Sequence, residues 1–139
     1  MDRLARIMAI DYGDARTGVA VSDESATLTG DAWVIQSRKM NDVAQNIISE
    51  AQSRNVACII VGHPKNMDGS LGARAEKSTQ LAALLRSLCD IEIKLWDERL
   101  TTKSAHQVLT NSGKFGKKRK NTIDAVAASL ILEGYLGSL

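Results

Sequence analysis

The chain has 139 residues, 44% of them hydrophobic and 24% charged, with a net charge of +2. That is about one domain's length and the balance of a soluble globular protein. Its apolar runs fall far short of the roughly 20 residues needed to cross a bilayer, and the N-terminus has no signal-peptide core. One cytoplasmic domain over residues 1–139, with no membrane partner, is the expectation.

RIMAID (6–11) is a short apolar strand with Ile7, Ala9 and Asp11 on one face by the two-residue period. YGDARTG (12–18) is a turn, and GVAVSD (18–23) a second strand, so the pair predicts an antiparallel hairpin. DAWVIQ (31–36) supplies a third strand. From Asn41 the spacing of Val43, Ile47, Ile48 and Ala51 becomes helical, and it ends near Asn55. ACIIVG (57–62) is continuously apolar, as in a strand covered on both faces. HPKNMDGSLG (63–72) holds the only proline and reads as a loop.

A helix is predicted over 73–88, with Leu81, Leu84, Leu85 and Leu88 as its stripe. IEIKLW (91–96) alternates, which predicts a half-exposed strand near a sheet edge. Thr101 or Thr102 can cap a helix to about Leu109. A basic loop follows, and a final helix capped by Asn121 or Thr122 runs to about Leu136. Three antiparallel strands followed by parallel crossovers give a mixed five-stranded sheet with helices on both faces. That is the order of a ribonuclease H-like α/β fold.

Carboxylates stand at the ends of these elements. Asp11 closes the first strand, Asp97 and Glu98 close the last, and Asp124 falls in the first turn of the final helix. Each has an ordinary explanation. Asp11 can cap its turn, Asp97 and Glu98 can pair with Arg99, and Asp124 can complement a helix dipole. Their joint placement points further, because acids gathered at one sheet end repel one another unless a cation joins them. Hard oxygen donors suit Mg²⁺ or Mn²⁺, and two such ions about 4 Å apart hydrolyse phosphodiesters without a protein nucleophile.

Charge distribution supports a polyanionic partner. Lys114, Lys117, Lys118, Arg119 and Lys120 are five cations in one stretch without an acid. Setting them aside leaves 13 basic against 16 acidic residues, a body of about −3. Such a run is either a solvated loop or a phosphate clamp. Gly13 and Gly18 bracket Arg16 in a turn that can approach a phosphate, although a tight hairpin alone explains the glycines. The same DxG pattern occurs in sugar-kinase and actin-type phosphate loops, but one domain of this length lacks a second lobe to enclose a nucleotide.

Asn66, Asp68 and Ser70 follow the buried strand and either meet substrate or form a turn. His63 and His106 have no assigned partner, and Trp33 and Trp96 read as packing residues. Cys58 and Cys89 show no metal-ligand spacing and read as free thiols.

The segments AIDYGDARTGVAVSD, IIVGHPKNMDGS, LWDERLTTKSA and GKKRKNTIDAVAASLIL, in that order and spacing, resemble the YqgF/RuvX family of bacterial nucleases. The resemblance implies a ribonuclease H-like fold and a metal-dependent nuclease with Asp11, Glu98 and Asp124 as catalytic ligands of Mg²⁺ or Mn²⁺. Asp97 becomes an accessory neighbour. The resemblance also likens the basic loop to the family's mobile segment near the active site; on the residues' own chemistry, Lys117, Lys118, Arg119 and Lys120, with Arg16 and Asn66, are the candidate substrate contacts.

The family is linked both to maturing the 5′ end of precursor 16S rRNA and to resolving Holliday junctions. Precursor rRNA is the favoured substrate and branched DNA the alternative, with the protein a monomer or homodimer. A non-cleaving RNA-binding module for ribosome assembly is the alternative from another class.

Overall fold

The computed structural model describes residues 6–23, 29–64, 72–98 and 116–139, without the side chains of residues 29 and 116–124. Five strands are described: β1 (Arg6–Asp11), β2 (Arg16–Ser22), β3 (Thr29–Gln36), β4 (Val56–His63) and β5 (Glu92–Asp97). They form one sheet in the order β3-β2-β1-β4-β5. β1 pairs antiparallel with β2 and β2 with β3, whereas β4 runs parallel to both β1 and β5. This is the mixed sheet that the strand pattern predicts.

The described helices are α1 (Met40–Ser53), α2 (Ala73–Leu88) and α3 (Gly116–Gly137). Two apolar layers follow from the pleat. Met8, Ile10, Val19, Val21, Ile59 and Val61 meet Val43 and Ile47 of α1 and Leu81 and Leu85 of α2. On the other face, Ile7, Ala9, Ala20, Cys58 and Ile60 meet Ala128, Ile131, Leu132 and Tyr135 of α3. The central strands are thus apolar on both sides, which is why ACIIVG has no alternation. α1 ends where Asn55 takes a positive φ of 58°, a conformation asparagine tolerates better than most residues.

One expectation needs correction. The last helix starts at Gly116, not near residue 121, so Lys117, Lys118, Arg119 and Lys120 lie on its opening turns instead of in a loop. Lys and Arg are good helix formers, and a dense charge run does not by itself break a helix. Asp124 consequently lies roughly two turns inside α3, beyond the reach of the helix-dipole explanation.

The expectation for β5 holds, since it is an edge strand of the sheet and only partly buried. Trp96 is half-buried and packs edge-on against Tyr135 at 5.6 Å, while Lys94 Nζ donates to Tyr135 Oη at 3.0 Å. The polar-looking face of β5 is therefore partly roofed by the end of α3. The helix expected over about 101–109 lies outside the described residues.

Candidate active site

The site forms at the C-terminal ends of β1, β4 and β5, where parallel neighbours bring their last residues to one edge. Asp11 continues the Ile7–Ala9 alternation and so belongs to the α3 face. Its side chain is only 12% exposed. Across the antiparallel ladder its partner is Gly18, which presents no side chain against it. On the other flank, Ile10 pairs with Val61, which puts Gly62 one step further along β4.

Gly62 is the residue whose importance the sequence did not reveal. A Cβ there would stand 2.6 Å from Glu98 Oε2 and 2.7 Å from Ile131 Cδ1. Because β4 carries no side chain at that point, the Glu98 carboxylate can lie across it on the α3 face. Glu98 therefore reaches the same side of the sheet as Asp11. The only advance signal was a glycine ending an otherwise apolar strand.

The electrostatics follow from this packing. Burial and then the Asp11 charge push the Glu98 carboxyl up to about 7, with Asp97 adding slightly and Arg74 opposing. Two acids are thus held within electrostatic reach of each other in a partly desolvated place, where nearby positive charge favours their ionised forms. Arg74, in the first turn of α2, provides part of it: its Nη2 lies 3.8 Å from Asp11 Oδ1. Arg74 also went unnoticed in the sequence, where it reads as one more surface cation on a helix.

Nearby, Lys77 Nζ donates to Asp14 Oδ1 at 2.6 Å, tying the β1–β2 turn to α2. This pair holds the Asp14 carboxyl below its ordinary range. Gly13 makes that turn possible, since any Cβ there would collide with the Arg16 carbonyl oxygen.

The remaining expected residues divide. Asp97 alternates with Trp96 and so falls on the α1/α2 face, in register with His63. It contributes charge to Glu98 but shares neither its face nor that of Asp11. His63 is buried, with Nε2 3.2 Å from Thr79 Oγ1, and is a core histidine on the same α2 side. Arg16 opens β2 on the α3 face, by alternation with Gly18 and Ala20.

Position 124 falls on the helical stripe of Ala128, Ile131 and Tyr135, all buried against the sheet. Its side chain, and those of Lys117, Lys118, Arg119 and Lys120, lie outside the described residues, as does Asn66 altogether. Among the described residues no cluster of three or more metal-ligating side chains occurs. The described acids of the site are Asp11 and Glu98, and their oxygens and shared charge fit a hard divalent cation.

The sequence matches the family model described as "RuvX: Holliday junction resolvase" over residues 5–138. A protein of Halothermothrix orenii is 48% identical over 134 residues, covering 94% of each chain, and is named "Putative pre-16S rRNA nuclease". An Acetivibrio thermocellus protein of the same name is 42% identical, covering 96% of each. Among solved structures, Thermus thermophilus RuvC in complex with a Holliday junction substrate superposes with a TM-score of 0.62 over 96% of both chains. Its identity is 10%, so the likeness is one of fold.

Proposed function

This chain belongs to the RuvX family, and from that membership we propose that it is a nuclease that hydrolyses phosphodiester bonds in precursor 16S rRNA with a divalent metal. One observation carries the chemical part: Asp11 and Glu98 converge beside Gly62 on one face, where Glu98 is pushed up to about 7. A pair of carboxylates held at that cost is better explained by a cation than by stability.

Asp11 and Glu98 would hold Mg²⁺ or Mn²⁺, with Asp124 as the third ligand from α3. When bound, the ion supplies Lewis acidity and charge stabilisation for attack of water on the phosphodiester. The protein's own residues fix the geometry. β1 and β5 present the two carboxylates at one sheet end, Gly62 lets Glu98 lie flat, and Ile131 backs the site with apolar surface. Asp97, on the opposite face, acts by charge alone. Lys117, Lys118, Arg119 and Lys120 grip the backbone, with Arg16 and Asn66 as further substrate contacts.

The test compares cleavage of a precursor 16S leader and a four-way DNA junction by wild type and Asp11→Asn, with Mn²⁺. Cleavage of the leader by wild type, lost in Asp11→Asn, is the expected result. Cleavage unaffected by the substitution would remove Asp11 from the reaction. The description of the matched family favours one second reading, junction resolution. Paired, symmetric cuts in the junction with an intact leader would select it.

A further inference from the structure

Arg74 stands in an unusual relation to its helix and to the site. It occupies the first turn of α2, where the dipole disfavours a cation. It pairs with Asp11 Oδ1 at 3.8 Å, beyond hydrogen-bonding distance, while its own side chain is 65% exposed. The contact is thus Coulombic, loose and open to solvent on one side. Lys77, one turn further on, is instead committed to Asp14 at 2.6 Å. Arg74 is the cation of α2 that faces the acids of the site.

We propose that Arg74 competes with a divalent cation for Asp11 and thereby sets the metal concentration at which this protein loads. The inference rests on the metal-binding reading of Asp11 and Glu98. A guanidinium that neutralises Asp11 must give way when a divalent ion takes the same oxygen. Its exposure lets it swing into water without unpacking the core. The pair is strong enough to weaken metal binding and too weak to prevent it. Such an arrangement offsets part of the repulsion between the acids while limiting capture of scarce ions.

The experiment is a Mn²⁺ titration of the full chain without nucleic acid, followed by the electron paramagnetic resonance of free Mn²⁺. Removing the competitor in Arg74→Gln should tighten Mn²⁺ binding about two- to fivefold, the worth of an exposed ion pair. Arg74→Lys, which keeps the charge, should stay within about twofold of wild type. Lys77→Gln should leave the affinity unchanged.

Damage to the fold cannot produce a gain in affinity. Should Arg74→Gln melt early, Arg74→Met keeps the stem without the charge and must show the same gain. Unchanged or weaker binding in the uncharged variants overturns the inference while leaving the metal site standing. A wild type with no Mn²⁺ site that Asp11→Asn abolishes overturns both this inference and the reading on which it rests.

Discussion

The Glu98 carboxylate occupies the space that a side chain on Gly62 would need, with Oε2 2.6 Å from the position of the missing Cβ. The apolar stretch of β4 therefore ends in a gap, and an acid one residue past the end of β5 fills it.

Replacing Gly62 with alanine should separate function from stability. The new methyl meets the far ends of two side chains, Glu98 and Ile131, which can shift. Overpacking of this kind costs about 1–3 kcal/mol, so the protein should fold with a lowered Tm. Cleavage should fall at least about tenfold, because the displaced carboxylate leaves the side of Asp11. Full activity in Gly62→Ala would show that the Glu98 position is not needed.

Glu98 also gives the free protein a pH dependence. Its folded value, near 7, lies above the ordinary 4.5. The folded state therefore holds this proton more tightly than the unfolded state does. The associated stability is complete below about 4.5 and is lost as pH rises through about 7, a change of order 3 kcal/mol at most. Glu98→Gln should flatten that part of the profile and exceed wild type in stability at pH 8. Urea melts of both proteins from pH 4 to 8 in chelator make the comparison; parallel curves would contradict it.

Four cations on the opening turns of α3 predict a salt signature. If Lys117, Lys118, Arg119 and Lys120 each displace a counterion, replacing all four with glutamine should lower the slope of log K against log salt by about 3. Filter binding of single-stranded and duplex RNA from 50 to 300 mM salt measures it. A slope equal to that of wild type would exclude these residues from the interface.

The two thiols should differ in reactivity. Cys58 is buried and its thiol is pushed up to about 11, chiefly by desolvation, whereas Cys89 is only half-buried. Iodoacetamide at pH 8 should modify Cys89 in the native protein and reach Cys58 only after unfolding. Peptide mass spectrometry reads this directly, and early modification of Cys58 would contradict the burial.

Much of this architecture is legible in the residues themselves. Alternation in RIMAID, the unbroken apolar run ACIIVG and the leucine stripe of 73–88 each encode one element, and their order encodes the sheet. Asp11 and Glu98 can be singled out because one ends a strand and the other directly follows one, positions that depend on local pattern alone. Gly62 and Arg74 could not, since their roles arise from contacts between elements distant in sequence.

The start of α3 is hard to read for a different reason. A run of like charge looks like a break in periodicity, although lysine and arginine have good helical propensity. Four cations at that end also oppose the helix dipole and lack a compensating acid in the first turn. A local rule broken in this way is characteristic of a functional surface.

The pleat of β5 has a consequence for how the site can be lost or preserved. Asp97 and Glu98 are adjacent carboxylates, yet only Glu98 reaches the face of Asp11. Sliding this edge strand by one residue would exchange them, leaving the acid inventory intact while moving the wrong one into place. Ile93, packed beneath, and Trp96, wedged against Tyr135, are the bolts against that slip. Substitutions there would act as errors of alignment, erasing activity in a protein that still carries every one of its acids.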